Sequence, residues 1–192
     1  MESKVNYISP DDFKRIVNYI PLPHQRTIAD KDVEMLYKIL YFCALRPMEG
    51  INLSKVDFNL NDREISLGNT KTRKNDYAPI PSLFVDELGG YLATKTNGKL
   101  FKGLNYLTFY RWLKKTGKGL DIEAWTTHRD ESSEFTMGHI FRKTVGKDML
   151  SGLYGDKAKS IPIISKQLRH SKPSMTVDYY LKSSIEAVKD AW

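Results

Sequence analysis

Apolar positions recur every three or four residues over most of this chain and alternate over only two short stretches. Ser9-Pro10-Asp11-Asp12 reads as a helix start: a capping serine, a proline at the first helical position, then acids at the positive helix end. That helix is expected to end before Pro21-Leu22-Pro23. Val33, Leu36, Ile39, Leu40 and Cys43 keep helical spacing and predict a second helix from about Asp30 to Leu45. Pro47 opens a short third helix through Leu53. Glu64-Ile65-Ser66-Leu67 alternates, and Tyr77-Ala78-Pro79-Ile80-Pro81 follows a polar, basic connection. That pair predicts a β-hairpin with a charged tip over 68–76. Further helices are expected over 82–94, 105–116, 137–151, 161–168 and 174–190, with a loop from Gly117 to Thr136. The fold class is therefore mainly α with a small antiparallel β-sheet (α+β), and neither an internal repeat nor a linker divides it.

Composition narrows the picture. The chain has 192 residues, enough for one domain with a real core. No apolar run is long enough for a membrane span, and the N-terminus has no apolar signal region. The one cysteine, Cys43, has no internal partner and reads as a small buried hydrophobe, so a reducing cytoplasm is expected. The net charge is +7 and the pI about 9.3, a balance that favours an anionic partner such as nucleic acid. The charge lies in blocks. Phe101 to Gly119 holds five bases and no acid, Leu120 to Thr136 five acids and one base, and Met137 to Trp192 ten bases against five acids.

The residues able to do chemistry come in a telling order. Arg46 stands at a helix-to-helix corner, Lys71 on the hairpin, and His139-Ile140-Phe141-Arg142 forms an H-x-x-R. His170 follows Gln167-Leu168-Arg169, and Tyr179 lies nine positions further on, with Tyr180 beside it. Here the sequence resembles the tyrosine recombinase (phage integrase) family, specifically its C-terminal catalytic domain. Ala44-Leu45-Arg46-Pro47-Met48-Glu49-Gly50-Ile51-Asn52-Leu53 is similar to the family box G-L-R-x-x-E-L-x-x-L. Thr70 to Ile80 resembles the stretch that carries the family's hairpin lysine, His139 and Arg142 its H-x-x-R box, and Leu168, His170, Thr176 and Tyr179 its L-G-H-x-x-x-x-x-T-x-x-Y pattern. The resemblance runs from about Ile8 to the C-terminus.

What the resemblance implies is a site-specific DNA recombinase or integrase that breaks and rejoins strands through a 3′-phosphotyrosine. The alternatives are a type IB topoisomerase-like relaxing enzyme and a DNA-binding regulator of the same fold without turnover. Arg46 and Arg142 would clamp the phosphate oxygens with paired donors. Tyr179 would attack phosphorus, His139 would take its proton or bond the phosphate, Lys71 would protonate the leaving 5′-oxygen, and His170 would bond the phosphate. Lys74 is the fallback for Lys71. No cofactor or metal is expected, since there is no phosphate-cradling glycine motif and the loop with His128, Asp130 and Glu131 lacks a second ligand cluster. Double-stranded DNA is the expected partner, contacted by Arg73, Lys74, Arg111, Lys114, Lys115, Lys143 and Arg169. The helix with Tyr106, Phe109, Tyr110 and Trp112 is read two ways, as a DNA-facing element or as a core helix with lysines at its end. Leu181 to Trp192, with Ile185, Val188 and Trp192 at helical spacing, would pack on a neighbouring protomer or fold back.

Three residues depart from the family pattern. Arg169 stands where glycine is usual, Lys143 follows the box arginine in place of histidine, and Gly138 takes the place of a proline. The chain is also expected to be a single catalytic domain over 1–192 without the family's N-terminal DNA-binding domain.

Overall fold

The computed structural model describes residues 7–19, 29–68, 76–122, 138–153 and 158–170, together with Lys172, Ser174 and Thr176. Three helices come first: α1 (Pro10–Asn18), α2 (Asp30–Phe42) and the short α3 (Pro47–Ile51). A three-stranded antiparallel sheet follows, with β1 (Phe58–Asn59), β2 (Glu64–Ser66) and β3 (Tyr77–Pro79) in that order. The remaining described helices are α4 (Ser82–Ala93), α5 (Tyr106–Leu120), α6 (Ile140–Ser151) and α7 (Ile161–Gln167).

α2 is the hub, packed against α1, α3, α4 and α6. Its apolar positions surround it: Val33, Met35, Leu36, Tyr37, Ile39, Leu40 and Tyr41 are all buried. Aromatic rings carry the core across helices. Phe13 of α1 stacks on Tyr41 at 4.0 Å, Tyr37 stacks on Phe141 of α6 at 5.6 Å, and Phe42 meets Phe84 of α4 at 4.8 Å. Each such ring contributes about 1.5–3 kcal/mol through removal from water. The sheet buries one face, with Ile65 and its cross-strand partner Ala78 in the core.

Three expectations change. α2 ends at Phe42, not Leu45, because Ala44 takes a left-handed backbone (φ 52°). β1 adds a strand too short to show alternation. α5 runs on through Gly117 and Gly119 to Leu120, into the stretch expected to be loop. A Cβ on Gly119 would sit 2.2 Å from the Tyr19 hydroxyl, so that glycine lets the end of α1 lie against α5. The expected hairpin tip and the helix over 174–190 fall almost wholly outside the described residues; within the latter, Ser174 and Thr176 are helical.

Candidate active site

The site begins at the corner between α2 and α3. Ala44 is the second residue past the end of α2, where a left-handed conformation turns the chain. Arg46 then caps α3, and Pro47 opens it. Glu49, one turn into α3, closes the corner: one carboxylate oxygen accepts from the Arg46 backbone N–H at 2.7 Å, the other from Arg46 Nη1 at 2.7 Å. The Arg46 side chain keeps 39% of its surface exposed.

α6 brings the H-x-x-R pair to this corner. His139 caps α6, and its carbonyl accepts from Lys143 N–H. The residue before it, Gly138, lies so close to Pro47 that a Cβ would stand 2.4 Å from the proline Cγ. The absence of a side chain there lets the start of α6 sit against the start of α3, which places His139 next to the Arg46 corner. Arg142 is buried and donates from Nη1 to the Ala44 carbonyl at 2.7 Å. α6 is buried around most of its circumference, with Ile140, Phe141, Thr144, Val145 and Asp148 inside as well. The helix is a central strut.

α7 delivers His170. Its end is a Schellman motif: His170 N–H bonds the Ser165 carbonyl and Arg169 N–H the Lys166 carbonyl, both at 3.0 Å. The motif requires a left-handed residue between, and Arg169 supplies it with φ 49°. His170 Nδ1 lies 2.7 Å from the hydroxyl of Thr176, which is fully buried. Burial, then the charges of Arg142 and Arg46, push the His170 pKa down to about 4. The imidazole is thus neutral near pH 7, and both arginines are close enough to act on it electrostatically.

These elements place Arg46, Arg142 and His170 around one spot, with His139 at the adjoining corner. The sequence profile of the phage integrase family matches residues 6–186, nearly the whole chain. The chain belongs to the phage integrase family. Among solved structures, this integrase-family chain superposes on the catalytic domain of bacteriophage HP1 integrase with a TM-score of 0.59 at 21% identity, covering 94% of this chain and 93% of that one. It is similar to XerA recombinase, TM-score 0.62 at 22% identity, over 93% of this chain and 59% of that one. It is also similar to the Tn1549 transposon integrase in complex with transposon right end DNA, TM-score 0.64 at 14% identity, over 99% and 67% of the two chains. The fold is that of tyrosine recombinase catalytic domains. No curated protein matches the sequence significantly.

The other expected site residues of this integrase-family chain fall into three groups. Lys71, Arg73, Lys74, Tyr179 and Tyr180 lie outside the described residues, as does the segment from Leu181 to Trp192. Arg111, Lys114 and Lys115 are exposed on α5, whose Phe109 and Leu113 are in the core and whose Tyr110 and Trp112 are half-buried against it. α5 is thus a core helix with a basic outer face. Lys143 is half-buried, and that burial lowers its pKa.

Arg169 requires a correction. It is expected on the DNA face, but its side chain is only 2% exposed and points inward. Nη1 pairs with Asp76 at 2.9 Å and Nη2 with Glu49 at 2.6 Å. Burial by itself would raise the Glu49 pKa, but the bonds and charge of Arg169 and the bonds from Arg46 outweigh it and hold the carboxyl below its usual 4.5. Asp76 and Thr176 therefore join the site; the first had no signal in the sequence, and the second was visible only as a member of the family pattern. Among the described residues no grouping of side chains suits a metal ion, and no helix is long and apolar enough to cross a membrane.

Proposed function

We propose that this chain is a site-specific DNA recombinase that cleaves and rejoins strands through a 3′-phosphotyrosine on Tyr179. The observation that carries the reading is the convergence of Arg46 and Arg142 on a neutral His170. A pentacoordinate phosphorus gathers negative charge on its non-bridging oxygens, and two fixed guanidiniums with a neutral imidazole donor are matched to it. The Tyr179 oxygen attacks phosphorus, the P–O5′ bond breaks, and the phosphate stays on the tyrosine; the reverse attack by a 5′-hydroxyl restores the DNA. A tyrosine of pKa ~10 needs a base, for which His139 is placed beside the Arg46 corner. Lys71 is the proton donor to the departing 5′-oxygen. A Thr176 hydroxyl that donates to His170 Nδ1 leaves the imidazole proton on Nε2, the tautomer that bonds a phosphate.

Double-stranded DNA is the substrate. The net charge of +7 and the exposed Arg111, Lys114 and Lys115 support it, as do structural relatives such as XerH recombinase, described as bound to difH substrate. The apolar spacing of Ile185, Val188 and Trp192 supports a contact between protomers on DNA.

The test is a nicked suicide duplex carrying the cognate site, read as a covalent protein–DNA adduct. Wild type should form the adduct, and Tyr179→Phe should not. If only Tyr180→Phe abolishes it, the nucleophile is the neighbouring tyrosine. Adducts on any DNA together with plasmid relaxation would point to a topoisomerase, and no adduct at the cognate site would leave a non-catalytic DNA-binding protein. Arg46→Ala should slow adduct formation by about 10²–10³-fold while DNA affinity falls far less, because the clamp acts mainly on the transition state.

A further inference from the structure

Arg169 holds a buried guanidinium at a backbone position where glycine is the default. A left-handed backbone crowds the Cβ of every residue but glycine, so the turn before His170 would form more easily without this side chain. The side chain is engaged elsewhere: Nη1 bonds Asp76 at 2.9 Å and Nη2 bonds Glu49 at 2.6 Å. The two acids come from different parts of the fold. Asp76 lies at the end of the sheet, where its carbonyl accepts from Leu67 N–H at 2.8 Å and its N–H donates to the Gly68 carbonyl at 2.9 Å. Glu49 lies on α3 and serves a second arginine. Its Oε2 accepts from both Arg169 Nη2 and the Arg46 backbone N–H, and its Oε1 accepts from Arg46 Nη1 at 2.7 Å. One carboxylate therefore stands between two arginines, Arg169 buried and Arg46 part-exposed. The Arg46 guanidinium sits on a long, rotatable stem, and the bond to Glu49 gives it a direction. Glu49 can give that direction only if its own carboxylate is held, and the Arg169 fork, fastened to the sheet through Asp76, holds it. A guanidinium bonds two carboxylates in fixed directions; an ammonium is a single point of charge.

We propose that Arg169 is a positioning residue for the phosphate clamp: through Glu49 it fixes the Arg46 guanidinium, and through Asp76 it is itself fastened to the sheet. This rests on the recombinase reading given above. With 2% of its side chain exposed, Arg169 does not reach a substrate itself. It acts on the scissile phosphate only through Arg46. The cost of losing it therefore depends on whether Arg46 is there to be positioned. A residue that merely stabilises the fold costs the same with or without Arg46.

The experiment is a double-mutant cycle. It measures adduct formation by the full chain on the nicked suicide duplex for wild type, Arg169→Gly, Arg46→Ala and the double variant, with DNA affinity and thermal unfolding measured for each. Glycine suits the left-handed turn, so the loop before His170 keeps its backbone while the link to Glu49 is lost. Arg169→Gly should slow cleavage by about 10–100-fold with affinity kept within about threefold, because a misdirected guanidinium costs rate more than binding. In the Arg46→Ala background the same substitution should slow cleavage by less than about threefold. Should Arg169→Gly fail to fold, Arg169→Lys in the same two backgrounds reads the same quantity, because it keeps a positive charge between the two carboxylates. An equal loss in both backgrounds would overturn the proposal and mark a general structural role. A wild-type rate in the folded Arg169 variant would overturn it as well. No adduct from wild type would instead overturn the recombinase reading itself, and the proposal with it.

Discussion

At the scale of single residues, the chemistry depends on protonation states set by neighbours. His170 is neutral because it is partly buried beside two guanidiniums. A proton NMR titration of the DNA-free protein should find its midpoint near 4, not near the ordinary 6.5. The bond to Thr176 can be tested by two substitutions of similar size. Thr176→Val removes the hydroxyl that fixes the imidazole and should slow cleavage by about 2–10-fold, the kinetic equivalent of one hydrogen bond of about 0.5–1.5 kcal/mol. Thr176→Ser keeps the hydroxyl and should stay near wild type. That Arg46, Arg142 and His170 lie near one another follows the order in which the family pattern sets them, and the proposed chemistry limits which residue types can serve. Arg169 was misread for a physical reason. A base next to a site histidine looks like a DNA contact until the left-handed backbone is known to turn it inward. Its partner Asp76 is 93 positions away, beyond the reach of any local pattern.

At the scale of elements, the site is held by close backbone approaches and helix ends. Gly138 is the clearest case, since its missing Cβ lets α6 begin against Pro47. Gly138→Ala should cost about 1–3 kcal/mol of stability by overpacking, because proline is rigid and cannot give way. It should also slow cleavage by shifting His139 relative to Arg46. Thermal unfolding together with adduct kinetics reads both effects. Gly50→Ala makes a useful contrast: its new Cβ meets the end of the Leu40 side chain at 2.6 Å, which a rotamer change can relieve more cheaply. Helices with an apolar period or with a proline or serine start were legible: α2 by its period, α1 and α4 by their starts. The end of α5 was not, because Gly117 and Gly119 read as loop signals although Gly119 serves helix packing. The hydrogen bond from Arg15 to the Leu120 carbonyl, which ties α1 to that end, is also invisible from spacing.

At the scale of the whole molecule, the same groups make stability depend on pH. His170 has a folded pKa below its unfolded value, so the native state binds fewer protons than the unfolded chain between about 4 and 6.5. Its contribution is fully present above 6.5 and is lost as the pH falls toward 4. The lowered carboxyl of Glu49 acts further down: its contribution is present above 4.5 and is lost as the pH falls through its folded pKa. Asp148 runs the other way. Burial raises its pKa, the bond from Tyr41 opposes this, and its contribution fades as the pH rises through the folded value. Melting temperatures should therefore fall on acidification from pH 7. In His170→Asn the slope between 6.5 and 4 should be smaller, while the steeper fall below 4.5 remains. An unchanged slope would show that His170 titrates as in free solution.

The cysteine at the end of α2 has a use of its own. Cys43 is the only thiol in the chain, it is fully buried, and burial pushes its pKa up. It adjoins Ala44, whose carbonyl holds Arg142. A thiol reagent can reach it only when this corner opens, so the rate of labelling is a clock for opening events at the candidate site. Cognate DNA that engages Arg46 and Arg142 should slow the clock, and Arg142→Ala should speed it.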